Sequence, residues 1–163
     1  MKYLILTTIL FSIVCCKKQP KIETEYLPFV IPCNLSNDLD TIRLAFNGTW
    51  EFVQEKRVNR IQGGFNYITP QSQGFYRRMQ ITNDTVKYFK NTTQDSVYKF
   101  RISKQGTITG TNLPDDNEPV LIFYNTYNGY RDGYVPIKYC SNYLILQLQA
   151  VSSISGEQIW KKL

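Results

Sequence analysis

The chain has no histidine in 163 residues, and only four cysteines and two methionines. The first absence excludes Ser-His-Asp and Cys-His nucleophilic catalysis, imidazole general bases and His-ligated metal centres. No Gly-x-Ser-x-Gly, P-loop or Cys-x-x-Cys occurs, so an esterase elbow, a phosphate cradle and a dithiol redox centre are excluded as well. The carboxylates offer little. Period two puts Glu51 and Glu55 on the outward face of one strand, and Asp115, Asp116 and Glu118 cluster in a loop without the spaced ligands and turn glycine of a Ca²⁺ loop. The expectation is a protein that is not an enzyme and holds no cofactor and no metal; any catalysis would have to rest on Tyr or Arg. Charged residues make up 20%, with 19 Lys and Arg against 13 Asp and Glu, for a net charge of +6. The basic residues are scattered through alternating patterns without a recognition helix or RNP-like run, so nucleic acid is not expected as a partner.

Long apolar runs are scarce too. One stretch, Leu4 to Val14 after Lys2, reads as an export signal too short to span a bilayer as a mature helix. It ends in Ile13-Val14-Cys15-Cys16, followed by Lys17-Lys18, and this resembles the lipobox of bacterial lipoproteins. Cys16, preceded by the small Cys15, suits cleavage better than Cys15, which follows Val14; cleavage would leave Cys16 lipidated. A plain secretory peptide is the alternative. The expected organisation is a signal peptide over 1–15, a lipidated tether with three prolines over 16–34, and one domain over 35–163. The acyl chains would anchor the protein in the cell envelope as an outer-membrane lipoprotein facing the periplasm or the cell surface, with Lys17 and Lys18 near anionic headgroups. In that oxidising compartment the remaining pair, Cys33 and Cys140, suggests a disulfide, the alternative being two buried free thiols.

From Gly48 onward the apolar residues recur with period two between turn signals. The pattern predicts strands over 48–57, 75–82, 85–90, a fourth through Tyr98, Phe100 and Ile102, then 107–112, 120–126, 143–149 and 157–162. The segment 36–46 opens with capping residues and places Leu39, Ile42 and Phe46 at helical spacing. Eight antiparallel strands in sequence order predict an all-β, up-and-down barrel, since closure removes exposed edges, with the short helix closing one end. The long 58–74 connection falls at the other, open end. The order of strands brings Cys140 to the closed end, where the helix and Cys33 enter.

Asn47-Gly48-Thr49-Trp50-Glu51, the later Asn142-Tyr143-Leu144-Ile145-Leu146 and the ending Gly156-Glu157-Gln158-Ile159-Trp160-Lys161-Lys162 resemble, in that order, the sequence features of lipocalin-like lipoproteins of bacteria. The resemblance spans Leu44 to Leu163. It implies a lipocalin-like barrel in which a basic residue of the last strand packs over the tryptophan of Gly-x-Trp. Lys162, which shares a face with Trp160, takes that role over Trp50, where the family has arginine.

A barrel of eight strands is either filled by side chains or holds one small ligand. With Trp50 setting the parity, the expected inward positions include Phe52, Gln54, Phe75, Arg77, Met79, Ile81, Tyr98, Phe100, Ile122, Tyr124, Leu144, Leu146 and Leu148. Arg77 stands out, because an unpaired buried charge is costly. Either a ligand anion satisfies it, with Lys56 assisting, or it reaches the rim or pairs with an acid. Two functions follow. The first is a membrane-anchored binding protein for a small hydrophobic or amphiphilic ligand, contacted by Phe52, Gln54, Lys56, Phe75, Arg77, Met79, Tyr98, Phe100, Tyr124 and Leu146. The second is an envelope interaction or inhibitor module with a filled barrel, gripping a protein partner through the tyrosines between Tyr124 and Tyr143, most of which the predicted topology puts at the closed end.

Overall fold

The computed structural model describes residues 26–59, 61–104, 117–124, 131–148 and 156–163. The described elements are α1 (Leu39–Phe46), β1 (Gly48–Val58), β2 (Phe65–Ile68), α2 (Pro70–Gln73), β3 (Arg77–Thr82), β4 (Thr85–Lys90), β5 (Thr93–Lys104), β6 (Pro119–Tyr124), β7 (Arg131–Cys140), β8 (Tyr143–Leu148) and β9 (Gly156–Lys162). Strands β1 and β3 to β9 pair antiparallel in sequence order, and β1 pairs with β9, closing an eight-stranded barrel. The ninth strand, β2, extends the sheet: β1 pairs with β3 from Gly48 to Glu51 and with β2 from Glu55 to Val58.

The all-β barrel and its entry helix agree with expectation, but the membership of the eight strands differs. Strand β5 pairs directly with β6, Phe100 opposite Phe123. The strand expected over 107–112 lies outside the described residues and is not between them. The eighth member is β7, in a Tyr- and Gly-rich stretch expected to be a connection. Val135, Ile137 and Tyr139 do alternate towards the interior there, but Gly133 and Pro136 conceal the period. Proline is tolerated because the β7–β8 ladder ends at Ile137↔Leu146, just short of the residue that has no N–H to give. As a result β6 runs from the closed end to the open end, opposite to expectation, and its Tyr124 sits at the open end. Tyr139 and Tyr143 are at the closed end, whereas Tyr127 and Tyr130 lie outside the described residues.

The closed end is sealed by α1. Asp38 caps it, accepting a bond from Thr41 N at 2.8 Å. Ile42 and Phe46 enter the core, where the Phe46 ring meets Phe100 edge-on at 5.2 Å. Trp50 is fully buried and its Nε1 donates to Phe46 O at 2.9 Å, tying the first strand to the last turn of the helix. Lys162 lies opposite Trp50 in the β1–β9 ladder. Its Nζ is 5.4 Å from the ring centroid and donates to Ala45 O at 2.7 Å, so one ammonium serves both the indole face and the helix C-terminus. Gly48 is required beneath it. Its φ of +134° disfavours other residues, and a Cβ there would stand 2.8 Å from Lys162 Cε. Gly48→Ala is expected to lower stability by about 1–3 kcal/mol, read as a lower urea midpoint at constant m.

The Cys33–Cys140 disulfide forms at this end, with a Cα–Cα distance of 5.9 Å, beside a two-hydrogen-bond bridge between Ser36 and Tyr139. From there the N-terminal segment crosses the outside of the barrel. The Phe29 ring rests on Tyr143 at 5.5 Å, and the Gln54 amide takes Phe29 N at 2.7 Å and gives to Leu27 O at 2.8 Å. Gln54 thus acts as a short piece of extra strand for an extended segment.

Candidate functional site

The interior changes character along the barrel axis. In the closed half Trp50, Met79, Ile81, Val86, Phe100, Leu121, Ile137, Leu144 and Leu146 fill the space as one buried apolar cluster. Phe52 and Trp160, edge to face at 5.5 Å, form its upper layer. Above them the interior becomes polar on one wall and aromatic on the other.

The polar wall is created by a bulge. On β1 Phe52 pairs with Trp160 and Gln54 with Ile159, which leaves Val53 as an extra residue. The parity therefore reverses. Gln54, expected inside, faces out beside Ile159 and Ile145 and is buried under the N-terminal segment. Glu55, expected on the solvated face, points in and is 1% exposed. Lys56 consequently faces out too, its Nζ 4.0 Å above the Phe65 ring, and cannot assist Arg77. Tyr124 and Ile122 are the other corrections: in β6 it is Leu121 and Phe123 that join the interior cluster, while Tyr124 lies against Arg101 on the outside.

Glu55 collects three donors. Arg57 Nε bonds to Oε1, and Arg77 Nη2 at 3.1 Å and Gln158 Nε2 at 3.0 Å share Oε2. Gln158 Oε1 in turn accepts from Trp160 Nε1 at 3.3 Å. Burial would raise the Glu55 carboxyl, but the hydrogen bond and charge of Arg57, with the hydrogen bonds of Gln158 and Arg77, hold it below the ordinary carboxylate range. Arg77 thus pairs with an acid, one of the two alternatives its sequence position left. Its guanidinium carbon sits 3.5 Å over the Phe52 ring and 5.8 Å from Trp160. The pairing is incomplete: Arg77 Nε is buried without a hydrogen-bond partner. Two guanidinium groups meet one carboxylate, leaving a surplus positive charge. Phe75 and Lys90 stand at the rim above, the ammonium 4.2 Å over the ring.

The aromatic wall consists of Tyr88, Tyr98 and Phe123, stacked edge to face at 6.1 and 5.8 Å, with Tyr88 also 6.2 Å from Trp160. These residues pack against the core but stay partly exposed. Burial pushes the Tyr88 phenol up, so it remains a neutral donor across physiological pH. Of the residues proposed from sequence, the structure brings Phe52, Arg77, Met79, Tyr98, Phe100 and Leu146 to the interior, Met79, Phe100 and Leu146 in its sealed part, and leaves Phe75 at the rim under Lys90. It adds Glu55 and Arg57, which the sequence reading missed because the bulge is invisible to a period-two count, and Tyr88 and Gln158, which share faces with Val86 and Trp160 by ordinary alternation.

Elsewhere, a cavity of about 300 Å³ opens at the closed end among Arg43, Phe46, Asn47, Asn83, Asp84, Phe100, Arg101 and Ile102. Its Arg43 is engaged by Ile102 O at 3.1 Å and Asp40 at 3.5 Å. Glu118 faces Lys138 at 4.0 Å, while Asp115 and Asp116 lie outside the described residues. Compared with known protein families the chain matches none, and a search of curated proteins finds no match.

Proposed function

We propose that the protein is a lipid-anchored, lipocalin-like binding protein of the bacterial cell envelope that takes a small amphiphilic anion into the open half of its barrel. The observation that carries this is the pairing of an excess guanidinium with partly exposed aromatic rings above a sealed floor. The anionic head would bond to Arg77 and Arg57, whose charges Glu55 offsets only by half, and the apolar part would lie against Tyr98, Phe123 and Tyr88. The floor of Phe52 and Trp160 limits depth, favouring a short or bent ligand over a fully swallowed chain. Cys16 supplies the anchor, Lys17 and Lys18 the contact with anionic headgroups. The resemblance of the Gly-x-Trp strand and the Trp-Lys-Lys ending to lipocalins supports this assignment, and Trp50 packed under Lys162 is the contact that resemblance calls for.

Titration with a fluorescent fatty acid tests the assignment. Wild type is expected to saturate, and Arg77→Ala, checked for folding by circular dichroism, to bind about ten- to a hundred-fold more weakly, the range of a charge-assisted hydrogen bond. A wild type without saturable binding would remove the ligand role. The filled closed half would then favour a scaffold that binds a protein partner on its outer face.

A further inference from the structure

We propose that the barrel mouth takes a planar aromatic anion, which lays its ring flat on the guanidinium of Arg77. This rests on the amphiphile assignment and narrows it to one chemical class. The guanidinium carbon of Arg77 is 3.5 Å from the centroid of the Phe52 ring. At that distance the group has room only to lie flat on the ring face, since a tilted one would drive its nitrogens into the ring carbons. Phe52 thus covers one face, and Glu55 Oε2 holds one edge by accepting from Nη2 at 3.1 Å. The Arg77 side chain nevertheless stays 23% exposed. Because Phe52 belongs to the floor, the second face of the guanidinium looks up into the mouth.

A guanidinium is planar and weakly hydrated, and it accepts an aromatic ring on either face, whereas an ammonium is a strongly hydrated point charge. The second face is therefore a cationic platform for a flat π-system. The walls suit the same shape. Tyr88 meets Tyr98 and Tyr98 meets Phe123 edge to face, at interplanar angles of 75° and 67°, so the wall offers ring edges and ring faces in turn. A flat ring finds quadrupole partners there, while an alkyl chain gains only buried area. The anionic charge has a place of its own. Arg57, turned inward beside Arg77, gives its Nε to Glu55 and is 41% exposed. Its terminal nitrogen pair is left to take a carboxylate attached at the edge of the stacked ring. Phe52, Arg77 and the ligand ring then form three layers with the cation in the middle, an arrangement that a puckered ring or a bent chain does not reproduce.

The test titrates the full chain calorimetrically with two acids that share a carbon skeleton and a carboxylate: naphthalene-carboxylate and its fully hydrogenated counterpart, decalin-carboxylate. Both are ionised at neutral pH, and the saturated acid is the more hydrophobic, so a merely greasy cup would favour it. Wild type is expected to bind the naphthalene acid about five- to tenfold more tightly. Arg77→Lys, checked for folding by circular dichroism, keeps the charge without the plane and is expected to remove the preference. Tyr98→Leu keeps apolar bulk but removes a wall ring, and is expected to reduce the preference about two- to threefold. A wild type that binds neither acid, binds the two equally, or binds the saturated one more tightly would overturn the planar assignment. A preference undiminished in both variants would do the same. The fatty-acid titration decides separately whether the amphiphile reading stands.

Discussion

Replacing Cys33 and Cys140 together by serine is expected to cost about 4–5 kcal/mol of unfolding free energy, the largest loss expected from removing a single linkage in this chain. The bond spans a sequence separation of 107 residues, and in the chain-entropy model long loops restrict the unfolded ensemble most. The folded side of the balance changes little. Ser36 and Tyr139 exchange two backbone hydrogen bonds next to the bond, at 2.7 and 3.0 Å, and hold the two segments together without it. Urea unfolding of wild type with and without reductant, beside the double variant, checks this. Reduced wild type and the double variant are expected to coincide, with the midpoint lowered by about 2 M or more for an m-value near 2 kcal/mol per molar. A midpoint unchanged by reduction would show that the bond constrains nothing.

Glu55→Ala is expected to cost about 3–5 kcal/mol, because it leaves Arg77 and Arg57 beside each other with no carboxylate between them. Glu55→Gln keeps the shape but loses the charge, and is expected to fall between the variant and wild type. The pH dependence gives a second readout. The folded Glu55 pKa lies below its ordinary value of 4.5, so its contribution is complete above that value and disappears as pH falls through the lower folded one. Wild type should therefore lose stability in acid, and Glu55→Gln should lose less over the same interval. Urea midpoints at about pH 7 and about pH 3 decide it; parallel losses in both proteins would mean that the carboxylate is not held by its partners.

Local chemistry made much of the fold legible. Turn residues at Asn83-Asp84, capping at Asp38 and alternation through Tyr98 and Phe100 place β3, β4, β5 and α1 within a few residues. Gly48, Trp50 and Lys162 announce the closed end because their contact is demanded by sequence pattern and barrel geometry together. The disulfide was legible through parity: Cys140 reaches the closed end whichever strand precedes it, and so an error in strand membership left that inference intact. The strand β7 was hidden because Gly133 and Pro136 mimic loop chemistry, their cost in the sheet offset by a ladder that stops where proline cannot donate.

The site was less legible, since it depends on register. Arg77 was visible as a charge on an apolar face, but its partner was assigned to solvent. Nothing in Trp-Glu-Phe-Val-Gln-Glu-Lys-Arg announces which residue is looped out, and the alternation looks unbroken because Gln54 and Glu55 are both polar. Only the ladder with β9 identifies Val53 as the extra residue. A similar difficulty affects Tyr124, whose inward assignment followed from a β6 count started one residue out of phase.

That single looped-out valine governs two surfaces at once. Below it β1 faces the greasy interior with Trp50 and Phe52; above it the strand has turned half a period, so the same displacement that brings Glu55 to the mouth sends Gln54 out to grip Leu27 and Phe29. Were Val53 instead paired in regular alternation, Glu55 and Arg57 would face outward beneath the crossing segment and the Gln54 amide would hang in the mouth beside Arg77. The attachment of the N-terminal segment and the polarity of the cup are therefore not independent properties of this barrel but two readouts of one register, and sequence change cannot adjust either by shifting β1 without undoing the other.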